Sequence, residues 1–314
     1  MKISFNQTTG PNVKTTNGYG YAAQMCKESL ATLGHEVNWR DETADIEINF
    51  IQPEHWHWTG VDYRIGYLPW ESTLLHEGWV EKMNELDEVW TPSPIIGEWF
   101  VDQGVTKPVK IYQHGVEPAW EPVLRSLDPS ERMHFIHHGA EALRKGGNDS
   151  ISAFQRVLWD ENATLVMKMQ LDAFNVHDTD HIKVRKNKIP FMALVELYQS
   201  CHAMVYPSWG EGFGLAPLQA MATGMPVLIT KGWAPYEYLL PEAYLIESEL
   251  VDSPWPYIHP GKMFKPDQDD LDAKLRNLFD NHEEHFQFSY DLTKKVQEDY
   301  NWLELTEAAF AHLS

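Results

Sequence analysis

The 314 residues exceed the usual length of one α/β domain and suit two, and 43% hydrophobic with 12% aromatic content is that of a folded protein, not a disordered one. Twenty-five Lys and Arg against 46 Asp and Glu leave a formal net charge of -21, a field that repels polyanions and argues against duplex nucleic acid as a partner. A phosphorylated small molecule fits only where a few cations and helix N-termini gather on it.

In chain order, short β-rich runs alternate with helix-length segments. Lys2 to Phe5, Asp45 to Ile51, Arg64 to Leu68, Glu88 to Trp90 and Val109 to Tyr112 read as strands. Between them Tyr19 to Leu33, Thr73 to Leu86 and Pro94 to Gln103 carry helical periodicity. This order builds a parallel sheet with crossover helices. After Glu117 to Pro122 the alternation restarts with strands at Met133 to His137, Thr164 to Met169, Ala203 to Tyr206, Pro226 to Ile229 and Tyr244 to Ile246. The intervening helices are expected over Asn148 to Leu158, Phe191 to Ser200 and Leu215 to Thr223, followed by an amphipathic helix over Asp267 to Asp280. His285 to Leu313 reads as two helices broken near Tyr300 to Trp302.

The restart divides the chain into residues 1–122, 123–300 and a closing segment 301–314 expected to return to the first domain. Cys26 and Cys201 lie in apolar helical contexts and read as buried thiols, since one pair makes no disulfide framework. Met1 to Phe5 is too short for a signal peptide and no apolar run approaches membrane-spanning length, so a cytoplasmic protein is expected.

Tyr206 to Val227 combines a strand, the glycine-rich turn Glu211-Gly212-Phe213-Gly214, a helix from Leu215 and a second strand. Such a turn sits at the carboxyl end of its strand, where open α/β sheets bind ligands, and its glycines let a ligand approach the backbone. The run resembles the donor-binding signature of glycosyltransferase family four, Pro-Ser-x-x-Glu-Gly-Phe-Gly-Leu-x-x-x-Glu-Ala-Met-Ala-x-Gly-x-Pro-Val. Gly139 to Gly147, with Arg144-Lys145, resembles the family's Arg-Lys-Gly element, and Thr16 to Ala22 its first strand-loop-helix.

The resemblance implies a GT-B fold: two Rossmann-like domains with parallel sheets facing across a cleft, the first binding acceptor, the second a nucleotide-sugar donor. It implies a hexosyl- or pentosyl-transferase that retains anomeric configuration, works without a metal or cofactor, and takes a UDP- or GDP-sugar as co-substrate. Glu211 falls on the acidic position that contacts the donor sugar. Arg144 and Lys145 are expected to neutralise the donor diphosphate. Gly18 and Gly20 would let a loop close over the phosphates, with Gly212, Phe213, Gly214 and Leu215 completing the donor site. Glu71 is an acceptor-side or catalytic candidate, with helix capping as its alternative, and His114 a cleft candidate beside the hinge.

Three departures stand out. Gln219 occupies the position of the glutamate that holds the ribose hydroxyls, which removes the charge from that hydrogen bond. Trp70 stands where relatives carry histidine, and Ala140 where many carry arginine. They keep open a non-catalytic nucleotide- or sugar-binding protein of the same fold. The acceptor stays open among a glycan, a small molecule, a protein and a modified nucleic-acid base.

Overall fold

The computed structural model describes residues 1–7, 18–139, 143–169 and 177–313. The first half contains β1 (Lys2–Gln7), α1 (Gly18–Thr32), β2 (Glu36–Asn38), β3 (Ile46–Phe50), β4 (Tyr63–Tyr67), α2 (Trp79–Met83), β5 (Glu88–Thr91), α3 (Pro94–Asp102) and β6 (Val109–Ile111). Its strands form one parallel sheet ordered β2-β1-β3-β4-β5-β6, with Ile3 opposite Ile46 and Ile48 opposite Ile65. Every residue of β3 is buried, as expected of a strand covered on both faces.

The second half repeats the plan. It runs β7 (Met133–His138), α4 (Gly147–Val157), β8 (Ala163–Lys168), β9 (Ile182–Arg185), α5 (Phe191–Ser200), β10 (Ala203–Tyr206), α6 (Leu215–Ala222), β11 (Val227–Thr230) and β12 (Leu245–Ile246). These strands form a second parallel sheet, β12-β11-β10-β7-β8-β9. An antiparallel hairpin, β13 (Ser248–Asp252) with β14 (Lys262–Pro266), precedes α7 (Gln268–Asp280), α8 (His282–Asp299) and α9 (Trp302–Phe310). Two Rossmann-like sheets with covering helices make this the GT-B architecture.

Each sheet has its own apolar core, one around Ile3, Phe5, Ile48 and Phe50, the other around Phe135, Leu165, Val205 and Leu228. Trp302 and Phe310 of α9 belong to the first of these cores although they end the chain. Asn301 starts α9 by accepting from the amides of Leu303 and Glu304, a cap that explains the break after α8. Val116 pairs with the same residue across an isolated parallel bridge, next to the crossing between the halves.

The sequence reading is corrected at three points. Thr73 to Leu86 is helical only over Trp79–Met83: the Thr73 and Leu75 amides donate to the Lys262 carbonyl and the Gln103 side chain, and Gly78 turns left-handed at φ 81°. Two strands, β2 and β9, and the β13–β14 hairpin add to the sequence reading. Gly18 and Gly20 lie in the first turn of α1, not in a loop, and Gly20 is buried there. Pro53–His55 forms a 3₁₀ turn after β3. Among the described residues no helix is long and apolar enough to cross a membrane.

Candidate functional site

A cleft of about 370 Å³ opens between the carboxyl edges of the two sheets, with Gly18, Glu71 and His114 on one wall and Lys145, Glu211 and Gln219 on the other. The glycine-rich turn follows β10 and leads into α6. Gly214 is its hinge: at φ 86° it takes the left-handed conformation just before Leu215, and a Cβ there would lie 2.4 Å from the Trp233 ring.

The ligand-approach reading of these glycines needs correcting in one respect. A Cβ on Gly212 would lie 2.6 Å from Pro69 Cβ, and one on Gly210 would lie 2.1 Å from the Glu71 carbonyl. Side-chain space at both is therefore taken by the loop after β4, so these glycines bring the two halves into contact. Gly212, Phe213, Gly214 and Leu215 all border the cleft as well.

Glu211 is the centre of the charged cluster. Its side chain is buried, Oε1 accepts from Ser208 Oγ at 2.6 Å and Tyr206 hydroxyl at 3.0 Å, and Oε2 accepts from Lys145 Nζ at 2.5 Å. Arg144 Nη1 stands 3.6 Å from the same carboxylate. Burial alone pushes a carboxyl up, yet Lys145 and Arg144 together outweigh it and hold Glu211 below the usual range. Burial lowers the Lys145 ammonium in turn, and the Glu211 carboxylate is the main force opposing that drop.

Lys145 lines the cleft; Arg144 does not. The Arg144 guanidinium is buried behind the turn, donating to the Gly210 carbonyl at 2.6 Å and standing 3.9 Å from Glu71 Oε1. The sequence reading placed both cations on the diphosphate; in the structure Lys145 borders the cleft and Arg144 packs against Gly210 and Glu71. Both precede α4, whose N-cap Gly146 is left-handed at φ 74°. Ala140 lies outside the described residues.

Glu71 sits on the opposite wall beside Trp70, with Oε2 3.9 Å from His259 Nδ1. It caps no helix, because the segment after it is a loop. The Trp70 indole, in the place of the histidine of relatives, donates to the Leu74 carbonyl and packs edge-on against Trp79. It is part of the wall's support.

His114 is 3% exposed and borders the cleft, and among the described residues neither ring nitrogen has a hydrogen-bond partner. It lies among Phe213 at 4.8 Å and Trp302 at 5.6 Å between ring centroids, and burial pulls it down to about 3, so it is neutral at physiological pH. A neutral imidazole with two open positions can donate one hydrogen bond and accept another.

Gln219, on α6, is buried and faces the same cleft. The cleft lining also includes residues that were not among the sequence-predicted site residues: Lys168, Lys188, His138 and Phe191. Lys168 closes β8 and donates to the Asn187 carbonyl at 3.0 Å, and its burial lowers the ammonium. Its place at a strand's carboxyl end was the available signal.

Residues 159–308, which include Glu211 and Gln219, match the family described as Family 4 Glycosyltransferase in conflict systems. Over this segment the chain is similar to the family-four glycosyltransferases. A protein of Sulfolobus islandicus filamentous virus that carries the name glycosyltransferase 45 is 23% identical over 293 residues, 83% of this chain and 80% of its own length. An uncharacterized glycosyltransferase of Methanocaldococcus jannaschii is 29% identical over 142 residues, 39% of this chain and 36% of its own. Among solved structures, Anabaena HepE in complex with UDP and glucose superposes with a TM-score of 0.71 at 12% identity, covering 100% of this chain and 99% of that one. WaaG, a glycosyltransferase involved in lipopolysaccharide biosynthesis, does so with a TM-score of 0.66 at 12% identity and 99% coverage of both.

Proposed function

We propose that this transferase moves a hexosyl or pentosyl group from a UDP- or GDP-sugar to a hydroxyl acceptor, with retention and without a metal. The observation that carries the reading is the buried Glu211 carboxylate, inside the segment that matches the family, paired with Lys145 and braced by Arg144 on the cleft wall. HepE, of the same fold, is a complex with UDP-glucose, which supports a UDP-sugar as the first donor to try.

Departure of a nucleoside diphosphate concentrates negative charge on the phosphate oxygen that leaves the anomeric carbon. Lys145 stands in the cleft to meet it, and the α4 N-terminus two residues on adds amide dipoles of the right sign. Arg144, positioned by Gly210, Glu71 and Glu211, fixes the turn and raises the local potential from behind. His114 offers a neutral donor and acceptor to hydroxyls of the transferred sugar from the opposite wall. The bond from the anomeric carbon to the diphosphate breaks, the acceptor oxygen bonds to that carbon on the same face, and its proton goes to the departing phosphate oxygen.

Acceptor-dependent nucleotide release from a panel of UDP-, GDP-, ADP- and dTDP-sugars, in EDTA, tests the activity, and the anomeric configuration of the product tests retention. Donor binding without release across every acceptor would instead support the non-catalytic reading, for which Gln219, Trp70 and Ala140 are the specific observations.

A further inference from the structure

The β13–β14 hairpin belongs to the second half, yet the turn between its strands reaches the first. That turn has little conformational freedom. Pro254, Pro256 and Pro260 each fix a backbone angle. The Ser253 amide donates to the Gly261 carbonyl at 2.8 Å, and the Ile258 and His259 amides donate to the Trp255 carbonyl at 2.9 and 2.8 Å. Reciprocal bonds then seat it on the loop after β4. The Thr73 amide donates to the Lys262 carbonyl at 3.1 Å, the Lys262 amide donates to Thr73 Oγ1 at 2.8 Å, and His76 Nε2 lies 3.1 Å from the Ile258 carbonyl. Gly261, left-handed at φ 82°, comes so close that a Cβ on it would lie 2.6 Å from the Thr73 hydroxyl oxygen.

This crossing brings one imidazole from the second half to the first-half wall. His259 is 8% exposed, and its ring centroid lies 5.7 Å from that of Trp70. Its buried Nδ1 has no hydrogen-bond partner among the described residues and stands 3.9 Å from Glu71 Oε2. The other oxygen of that carboxylate, Oε1, stands 3.9 Å from Arg144 Nη2. Glu71 lines the cleft, so a carboxylate of one wall has each of its oxygens faced by a side chain of the other half.

The two neighbours differ in what they can do. The Arg144 guanidinium is a permanent charge that attracts the carboxylate whichever way it turns. Burial, with the Arg144 charge adding to it, pulls His259 down to about 3, so its ring is neutral near neutral pH and offers a single directed N–H. A buried nitrogen without a partner is unfavourable. An approach of roughly 1 Å brings it into hydrogen-bond range of Oε2, the kind of tightening that active sites show when substrate binds.

We propose that His259 is a positioning residue: its Nδ1–H donates to Glu71 Oε2 across the cleft and turns the carboxylate to accept from a hydroxyl of the sugar bound there. Because the imidazole arrives on the hairpin of the second half, Glu71 takes this orientation only with the hairpin seated on the loop after β4. The assignment rests on the transferase reading above, and its test separates the two.

The test has two arms, both on the full chain. Histidine nitrogen NMR near neutral pH, in the free protein and with UDP-glucose, reads the tautomer of His259, whose signal is identified by its loss in His259→Asn. The proton sits on the nitrogen that has an acceptor. The Nδ1–H form is expected, reverting in Glu71→Ala to the Nε2–H form that a free imidazole prefers in water. An Nε2–H ring in both states of the parent, or a tautomer that Glu71→Ala leaves unchanged, overturns the pairing. The second arm measures nucleotide release from UDP-glucose and from GDP-, ADP- and dTDP-sugars. His259→Phe keeps a ring against Trp70 but has no N–H, whereas the His259→Asn amide can take the place of Nδ1. In the first variant kcat should fall by on the order of tenfold or more with the donor KM little changed, and in the second it should largely recover. Equal losses in both variants, a loss confined to KM, or no loss overturns the positioning role. The tautomer is read on the parent chain, so it decides the pairing even where a variant folds poorly. Release from none of the nucleotide-sugars overturns the transferase reading instead.

Discussion

The two walls of the cleft are built on opposite principles. In the second half, Glu211 has four polar neighbours within 3.6 Å, and the cations around it are held by that carboxylate and by a backbone carbonyl. In the first half, His114 is buried among rings with both nitrogens open, and the loop at Pro69 and Glu71 gains its place by touching glycines of the other half. A wall that satisfies itself is preorganised for a charge that always arrives in the same place; a wall with open polar positions is completed by its ligand.

The largest way to break that contrast is Glu211→Gln. It leaves Lys145 buried beside Arg144 without the carboxylate that faces both, and removal of one member of a buried pair costs about 3 kcal/mol or more. Urea unfolding should show that loss together with collapse of nucleotide release. A variant as stable as the parent would mean that the pair is not coupled to the fold.

Arg144→Ala comes next. It removes a charged hydrogen bond to the Gly210 carbonyl, worth about 1.5 to 3 kcal/mol, so urea unfolding should show a loss of that size and donor binding should weaken as the turn loosens. Because the guanidinium lies behind the turn, added guanidinium ion should restore little. Unchanged donor binding would remove Arg144 from the site's support.

Gly212→Ala acts on the join between the walls. Its methyl would sit 2.6 Å from Pro69 Cβ, and overpacking of this kind costs about 1 to 3 kcal/mol. Lower thermal stability with weakened acceptor-dependent turnover is expected, and a neutral effect would show that the halves separate freely at this point.

This glycine also marks how far the sequence could be read. The turn, the Arg144-Lys145 run and the alternating strands are local patterns, so two Rossmann-like halves, and Glu211 and Lys145 as separate site candidates, were legible from contiguous residues; that the two side chains pair was not. What Gly212 faces depends on a loop more than 140 positions away. Likewise, the side chains of Arg144 and Lys145 part company, one behind the turn and one into the cleft, which their adjacency does not reveal. The helical pattern of Thr73 to Leu86 yields to tertiary hydrogen bonds from Gln103 and Lys262. The four-residue strand Ile182–Arg185 is too short to announce itself.

On the first-half wall, pH is the finer probe. Burial holds His114 at about 3, while the unfolded chain takes up that proton near 6.5, so below this value the unfolded state binds more protons and stability falls as pH drops. His114→Phe keeps the ring stack against Phe213 and Trp302. The pH dependence of its unfolding free energy between pH 6 and 4 should be shallower than the parent's by up to about 1.4 kcal/mol per unit. Parallel slopes would show that His114 protonates in the folded state.

The smallest expected effect is also the most discriminating for the donor. Gln219 can accept from a ribose hydroxyl but without charge, and a charged acceptor roughly doubles such a bond, so Gln219→Glu should tighten nucleotide binding by up to about tenfold. The new carboxylate would share its cleft with Lys145, Lys168 and Lys188, which favours its ionised form. Tightening toward nucleosides that carry both ribose hydroxyls, and none toward 2′-deoxy analogues, would place the ribose at α6. Equal gains for both would put the new charge against the lysines alone, and the donor's ribose elsewhere along the cleft.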